Sequence, residues 1–179
     1  MRASGRLAIG CVAGFSLVAL LVSHGVTAPW DVAGLRDVAQ FRTPMRTSVM
    51  RGITALGGGD VLAPVAALFG VWLWIWRSRR DAGHYLGTVL LGWGCYGLLK
   101  WAFARPRPNV IERLDGAGWW SFPSGHAMES AIILGLAVVL VTQKRLAWGA
   151  VGILVAMIAF SRVYLGVHYP SDVVGALFL

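Results

Sequence analysis

The chain has 179 residues, of which 57% are hydrophobic and only 13% are charged. Soluble domains contain about 25% charged residues, so this composition and a mean hydropathy of +0.67 exclude an ordinary soluble protein and indicate a polytopic membrane protein. The length allows one domain over residues 1–179. The net charge of +8 lies in short groups between apolar runs, which argues against a nucleic-acid partner.

An apolar run and an amphipathic segment come first in the chain. Residues 7–27 are long enough to cross a bilayer core, which takes ~20 residues, and we expect a retained span. A cleaved signal peptide is the alternative, because residues 26–28 resemble a small-residue cleavage site. Residues 30–59 carry an apolar side chain at every third or fourth position, with a break near Pro44. This pattern predicts either an amphipathic helix at the membrane interface or a packed connector between spans.

Further apolar segments follow at 61–76, 83–103, 124–142, 146–165 and 171–179. The last segment is too short to cross a bilayer, so either the sixth helix is truncated here or the sequence is not the whole natural chain. The predicted fold class is therefore an all-α bundle of transmembrane helices. Six spanning helices are expected, the sixth incomplete, together with the amphipathic segment after the first span.

Basic residues predict the orientation of this bundle. Arg2 and Arg6, the loop 77–80 and residues 144–145 fall on one side, which the positive-inside rule assigns to the cytoplasm. Simple alternation of spans then places the ends of the third and fifth spans outside. We therefore expect a multi-pass protein of the bacterial inner membrane, with those ends facing the periplasm or exterior. The arginines of segment 30–59 also lie outside and weaken this bias.

Three short polar groups interrupt the apolar chain on the outer side. In chain order they contain Lys100, Arg105 and Arg107; Pro123, Ser124, Gly125 and His126; and Arg162, His168 and Asp172. Ionisable residues at membrane depth are costly and usually mark function. These side chains supply a cationic cage, a nucleophile or base, an acid and an orienting carboxylate. Chemistry on a phosphate needs this set.

Taken alone, each group also has a plainer interpretation. Lys100 lies near the end of its span, where a lysine can snorkel to the interface, and Arg105 could be a charge at the rim of a site. His126 could be incidental to a helix N-terminus. Arg162 and Asp172 could form a structural ion pair. The chain has so few charged residues, however, that the presence of all three polar groups together favours one common site.

The cationic residues predict a phosphate pocket. Lys100, Arg107 and Arg162 would neutralise a phosphoryl group, and Arg107 is held between two prolines that stiffen its backbone. The backbone at Ser124 and Gly125 would add N–H groups from a helix N-terminus. Because charge stabilisation and positioning supply most of the catalysis in phosphoryl transfer, we expect neither a metal nor another cofactor.

The remaining polar residues predict the chemical step. Asp172 would accept from one ring nitrogen of His168 and leave the other nitrogen free to attack phosphorus. His126 would protonate the leaving oxygen. Glu129, one turn beyond His126 on the same helix face, is a candidate accessory residue that pairs with an arginine or shapes the pocket; a packed, protonated Glu129 is the alternative. Arg105 is the other candidate accessory residue.

The three groups resemble the signature of the type 2 phosphatidic acid phosphatase family. Lys100 is followed after six residues by Arg107-Pro108, then by Pro123-Ser124-Gly125-His126, and then by Ser161-Arg162, His168 and Asp172 at the matching spacing. The resemblance implies a six-helix membrane protein that dephosphorylates lipid phosphates without a metal, through a phosphohistidine. It implies His168 as nucleophile, Asp172 as its orienting partner and His126 as general acid. It also implies a phosphate pocket formed by Lys100, Arg107, Ser124, Gly125, His126 and Arg162.

Other functions remain open beside lipid phosphate hydrolysis. A lipid phosphotransferase would pass the phosphoryl group to an alcohol, and a non-catalytic lipid-binding protein would be expected to have lost a signature residue, which this chain has not. Vanadium haloperoxidases share the signature but are soluble. The expected partners are the bilayer and a lipid substrate, such as phosphatidic acid, phosphatidylglycerol phosphate, undecaprenyl diphosphate or a lipid A phosphate. The sequence leaves the choice among them and the oligomeric state open.

Overall fold

The computed structural model describes residues 2–179, with side chains from residue 5 onward, and all regular structure in this range is α-helical. The helices are α1 (Arg2–Ser23), α2 (Ala28–Gln40), α3 (Pro44–Leu56), α4 (Gly59–Trp76), α5 (Arg79–Phe103), α6 (Gly125–Val141), α7 (Arg145–Tyr164) and α8 (Pro170–Ala176). The predicted all-α fold class is confirmed. The amphipathic segment forms both α2 and α3, and the break predicted near Pro44 separates them.

The surface of the bundle is apolar. Within the described residues, three helical segments are long and apolar enough to cross a membrane, namely Gly5–Ser23, Pro44–Trp76 and Arg145–Tyr164, and α6 is apolar but shorter. Large side chains such as Leu68 and Leu91 are exposed. A soluble fold would bury many of these, whereas a bilayer solvates them. The chain is therefore a membrane protein.

Helices α2 and α3 pack against α7, and α2 also packs against α8. Arg42, just after α2, donates from Nε and Nη2 to the carbonyl of Tyr164 at 3.0 and 2.7 Å and from Nη1 to the carbonyl of Glu112 at 2.9 Å. Leu35 on α2 is fully buried. One face of this segment is thus a packed connector, as the second interpretation of its pattern predicted.

The helix ends that carry the polar groups meet at one end of the bundle. They are the last turns of α5 and α7 and the first turns of α6 and α8, and the turn between α3 and α4 joins them. The loop 104–124 crosses this end. Its backbone is held there by hydrogen bonds from Ser121 N to Arg105 O at 2.8 Å and from Leu114 N to Leu165 O at 2.9 Å.

Close approach of helices α4 and α5 depends on a glycine. A Cβ at Gly70 in α4 would lie 2.7 to 2.9 Å from three atoms of Leu86 in α5. The buried residues around this contact include Leu73 and Tyr85. A side chain at position 70 would therefore overlap Leu86, which would have to move within the packed core.

We expect Gly70→Ala to lower the midpoint of thermal unfolding in detergent, because overpacking a core costs about 1–3 kcal/mol. The matched control is Gly94→Ala in α5, where a Cβ meets nothing within 4 Å. It should leave the midpoint unchanged or raise it, since Ala stabilises a helix interior by roughly 0.5–1 kcal/mol over Gly. Equal midpoints for the two variants would contradict the tight contact.

Candidate active site

His168 and Asp172 lie on either side of Pro170, where the chain enters α8. His168 Nδ1 is 3.3 Å from Asp172 Oδ2, which also accepts from the backbone N of Tyr169 at 2.8 Å. On the other side of the ring, Arg107 Nη1 is 3.2 Å from His168 Nε2. Arginine has only donors, so Nε2 accepts and the ring proton is assigned to Nδ1. The lone pair of the imidazole is therefore on Nε2.

Burial lowers the pKa of His168 to about 4, although its hydrogen bond to Asp172 acts in the opposite direction. The positive charges of Arg107 and Lys100 lower this pKa further. Above a lowered pKa the neutral form of an imidazole prevails. At neutral pH the ring of His168 is therefore neutral, and its Nε2 lone pair accepts from Arg107 Nη1.

Arg105 lies inside the protein and not at the rim of the site. Its Nη1 donates to Asp172 Oδ1 at 2.5 Å and to Ser171 Oγ at 2.8 Å, and its Nη2 donates to Asp31 Oδ2 at 2.7 Å. Its side chain is 14% exposed. The interpretation of Arg105 as a rim charge is wrong, because the guanidinium is needed to compensate two buried carboxylates.

Lys100 and Arg107 open onto a cavity of ≈ 220 Å³. Lys100 Nζ contacts the carbonyl oxygen of Trp120 and lies 5.0 Å from the centroid of the Tyr96 ring. Arg107 Nε donates to the carbonyl of Gly118 at 2.5 Å. Three tryptophans border the cavity: Trp101, Trp119 and Trp120. The two cations thus contact carbonyl oxygens of the loop 104–124 and share one opening.

Arg162 lines a second cavity, of ≈ 460 Å³, although its own side chain is 3% exposed. Its Nη1 donates to Thr54 Oγ1 at 2.6 Å and to Asp115 Oδ2 at 2.7 Å, while its Nε has no partner among the described residues. A structural pair between Arg162 and Asp172 was the plainer interpretation. That pair is wrong: Arg162 is bound by Asp115, and Asp172 is bound by Arg105.

The three cations give this end of the bundle a positive character. Burial, followed by the positive charge of Arg162, lowers the pKa of Arg107. Such mutual repulsion is relieved by an anion. In the described part of the chain, no group of three or more His, Cys, Asp or Glu side chains is placed to hold a metal.

The first residues of α6 are fixed by backbone packing. Ser124 N donates to the carbonyl of Asp172 at 3.1 Å, but Ser124 Oγ is buried without a partner and does not cap the helix. A Cβ at Gly125 would lie 2.7 to 2.8 Å from ring and hydroxyl atoms of Tyr96. A larger residue at position 125 would therefore have to displace the ring of Tyr96.

His126 packs against the glycine turn between α3 and α4. A Cβ at Gly57 would lie 3.4 Å from His126 Cδ2, and one at Gly58 would lie 3.8 Å from His126 Nε2. His126 lines the same cavity as Arg162. The two predicted polar groups that contain these residues thus meet beside the turn.

Glu129 is half-buried on α6, close enough to Lys100 and to Trp93 to interact with both. Among the described side chains it forms no ion pair with an arginine. The hypothesis that Glu129 pairs with an arginine is wrong. Its position beside Lys100 leaves a role in shaping the pocket as the remaining functional interpretation.

The structure brings the predicted site residues to one place and adds four that the sequence analysis missed. The added residues are Asp31, Thr54, Tyr96 and Asp115. Asp31 had a detectable signal, because it lies four residues before Leu35 on the buried face of an amphipathic helix. For the other three the sequence offers no comparable signal.

Comparisons with known proteins show which family and which solved fold this chain resembles. The model of the PAP2 superfamily matches residues 81–179. Phosphatidylglycerophosphatase B of Bacillus subtilis is 28% identical over 178 residues, covering 92% of this chain and 85% of that protein. An undecaprenyl-diphosphatase of Sulfolobus acidocaldarius is 39% identical over 138 residues, covering 71% and 62%. The crystal structure of a transmembrane PAP2 type phosphatidylglycerolphosphate phosphatase from Bacillus subtilis matches with a TM-score of 0.86 at 27% identity, covering 96% and 89%.

We expect Thr54→Val to lower the midpoint of thermal unfolding, because Arg162 Nη1 loses one of its two acceptors. An unsatisfied buried donor costs about 1–3 kcal/mol. The matched control is Thr88→Val, since exposed Thr88 bonds only to a carbonyl of its own helix, that of His84. A midpoint lowered equally by both substitutions would show that the contact with Arg162 does not matter.

Proposed function

Since the chain belongs to the PAP2 superfamily, we propose that it hydrolyses a lipid phosphate or lipid diphosphate through a phosphohistidine intermediate. The observation that carries this proposal is the chain of contacts from Arg107 through His168 to Asp172. It combines a neutral imidazole, a carboxylate that holds its Nδ1 proton, and a guanidinium beside its Nε2. A nucleophile for phosphorus and a cation for the phosphoryl oxygens are then neighbours.

In the proposed first step, His168 Nε2 attacks phosphorus and the bond from phosphorus to the leaving oxygen breaks. His126 is proposed as the general acid that gives a proton to that oxygen. In the second step water attacks the phosphohistidine, neutral His126 accepts a proton from this water, and inorganic phosphate leaves. His168 is then free, and His126 carries a proton again.

The phosphoryl oxygens are proposed to lie among Lys100, Arg107 and Arg162 at the start of α6. Two buried polar atoms without partners support this placement: Arg162 Nε can donate to an anion, and Ser124 Oγ can donate to one as well. The N–H groups of the first turn of α6 add a positive dipole end. Three cations and a helix N-terminus would supply positive charge where the transferring group becomes more negative.

A lipid substrate is favoured over a soluble phosphate by the border of the smaller cavity. Trp101 and Trp119 are 66% and 78% exposed there, and tryptophan is enriched at the level of lipid headgroups. The relatives described above are named for phosphatidylglycerol phosphate and undecaprenyl diphosphate, which makes these two lipids the first candidates. Phosphatidic acid and lipid A phosphates present the same chemical group.

We place the protein in the bacterial inner membrane with this site at the periplasmic or outer face. The support comes from the basic residues at the opposite end of the bundle, which include the loop 77–80 and residues 144–145. A membrane-impermeant reagent directed at a cysteine introduced at exposed Gly118 tests this placement. Labelling in intact cells is expected, and labelling only after lysis would reverse the orientation.

We expect purified protein to release inorganic phosphate from one or more of these four lipids with a chelator present. His168→Ala should reduce the rate at least ~10³-fold, the scale seen when a nucleophile is removed. The matched control is His84→Ala, because exposed His84 lies at the other end of the bundle. Phosphate release is measured colorimetrically at equal amounts of folded protein.

Three outcomes would contradict the proposal. They are activity that survives His168→Ala, activity that disappears with the chelator, and no release from any lipid of the panel. Formation of a phosphorylated alcohol in place of free phosphate, when an acceptor alcohol is supplied, would replace the hydrolase by the phosphotransferase.

We expect Asp115→Asn to strengthen inhibition by inorganic phosphate roughly two- to fivefold, because the carboxylate bound to Arg162 repels an entering anion; a factor of this size corresponds to up to about 1 kcal/mol. Thr54 still holds the guanidinium in this variant. The inhibition constant of phosphate measures the effect. Weaker inhibition would instead mean that Asp115 holds Arg162 in its binding position.

A further inference from the structure

A buried arginine between two carboxylates lies behind the His168–Asp172 pair. Arg105 Nη1 is 2.5 Å from Asp172 Oδ1, and Arg105 Nη2 is 2.7 Å from Asp31 Oδ2. Asp31 and Asp172 are 1% and 0% exposed. The guanidinium also lies over the Tyr169 ring, 4.2 Å from its centroid. Carboxylates buried this deeply need compensating donors, and Arg105 supplies them to both.

Asp31 has three donors and reaches the backbone beside Asp172. Its Oδ1 accepts from Ser171 N at 2.9 Å, and its Oδ2 accepts from Ser171 Oγ at 2.6 Å as well as from Arg105. Ser171 directly precedes Asp172. Asp31 therefore fixes both the guanidinium that touches Asp172 and the residue next to it. It comes from α2, outside residues 81–179 that the family model matches.

The two carboxylate oxygens of Asp172 contact different partners. Oδ1 accepts from Arg105, while Oδ2 faces His168 Nδ1 and accepts from Tyr169 N. The orientation of the carboxylate towards the imidazole is therefore set at both oxygens, by Arg105 at Oδ1 and by Tyr169 N at Oδ2. One guanidinium serves two carboxylates, so its positive charge is shared between Asp172 and Asp31.

We propose that Asp31 is a positioning residue for the proposed reaction: through Arg105 it fixes the carboxylate of Asp172 and keeps that carboxylate a strong acceptor for His168. Without the charge of Asp31, Arg105 pairs with Asp172 alone and draws its negative charge away from the imidazole. The guanidinium also loses the contact that fixes its plane. Both changes make Nε2 of His168 a poorer and less well aimed nucleophile. This inference rests on the proposed function of His168.

The first test compares Asp31→Asn with Asp37→Asn, a matched control because Asp37 is exposed on the same helix. Asp31→Asn keeps the shape of the side chain and removes its charge. We expect kcat to fall about 10- to 100-fold, the scale of a small misplacement of a reacting group. The KM for lipid and the inhibition constant of inorganic phosphate should stay within about twofold, because the phosphate-binding cations are untouched. Asp37→Asn should match the wild type.

The second test asks whether Asp31 acts through Arg105. Arg105→Lys keeps a positive charge but removes the fork that bridges two carboxylates, and it should also lower kcat at constant KM. In the double variant Asp31→Asn/Arg105→Lys the loss should be close to the larger single loss, because residues that act as a unit are non-additive. Losses that multiply would overturn the inference.

Two further results would overturn the inference. One is an unchanged kcat in folded Asp31→Asn, and the other is a rise in KM without a change in kcat. If Asp31→Asn does not fold, Arg105→Lys decides the question: a wild-type kcat in that variant excludes positioning through Arg105. Failure of the proposed function looks different, since the wild type would then be inactive on the lipid panel or His168→Ala would stay active. If the wild type is active and requires His168, but Asp31→Asn has the wild-type kcat, only the positioning role of Asp31 is contradicted.

Discussion

One buried residue, Asp172, joins the three polar groups of this protein. Its side chain is bound by Arg105 from the first group, its backbone carbonyl accepts from Ser124 of the second, and its Oδ2 faces His168 of the third. Burial of an isolated charge costs several kcal/mol, so the carboxylate needs Arg105 and the donors that face Oδ2, whereas Ser124 N satisfies the backbone carbonyl of the same residue. The end of α5, the start of α6 and the turn into α8 are consequently fixed relative to one another by one residue.

Much of this arrangement could be predicted from the sequence because a membrane simplifies the problem. Apolar runs locate the helices, alternation assigns each loop to a side, and few charges remain to be explained. That reasoning was sufficient to group His126, Arg162 and His168 and to place the break near Pro44. The family resemblance carried by these residues is confirmed by the match to the PAP2 superfamily.

The partners of these residues could not be predicted, since they depend on contacts between distant segments. Thr54 and Asp115 meet Arg162 across 108 and 47 residues of chain. The sequence alone suggests a rim charge at Arg105, because the carboxylate that completes its environment, Asp31, comes from a helix 74 residues away. A charge of this kind looks isolated in a sequence and is neutralised only in the folded protein.

The loop 104–124 supplies oxygen atoms to all three cations of the proposed pocket. Arg162 contacts the carboxylate of Asp115, Arg107 contacts the carbonyl of Gly118, and Lys100 contacts the carbonyl of Trp120. An anion that enters the pocket therefore exchanges protein oxygens for its own, and the affinity is the small difference between two sets of contacts. On the proposed function, the same loop oxygens compete with inorganic phosphate for the three cations and so assist its release.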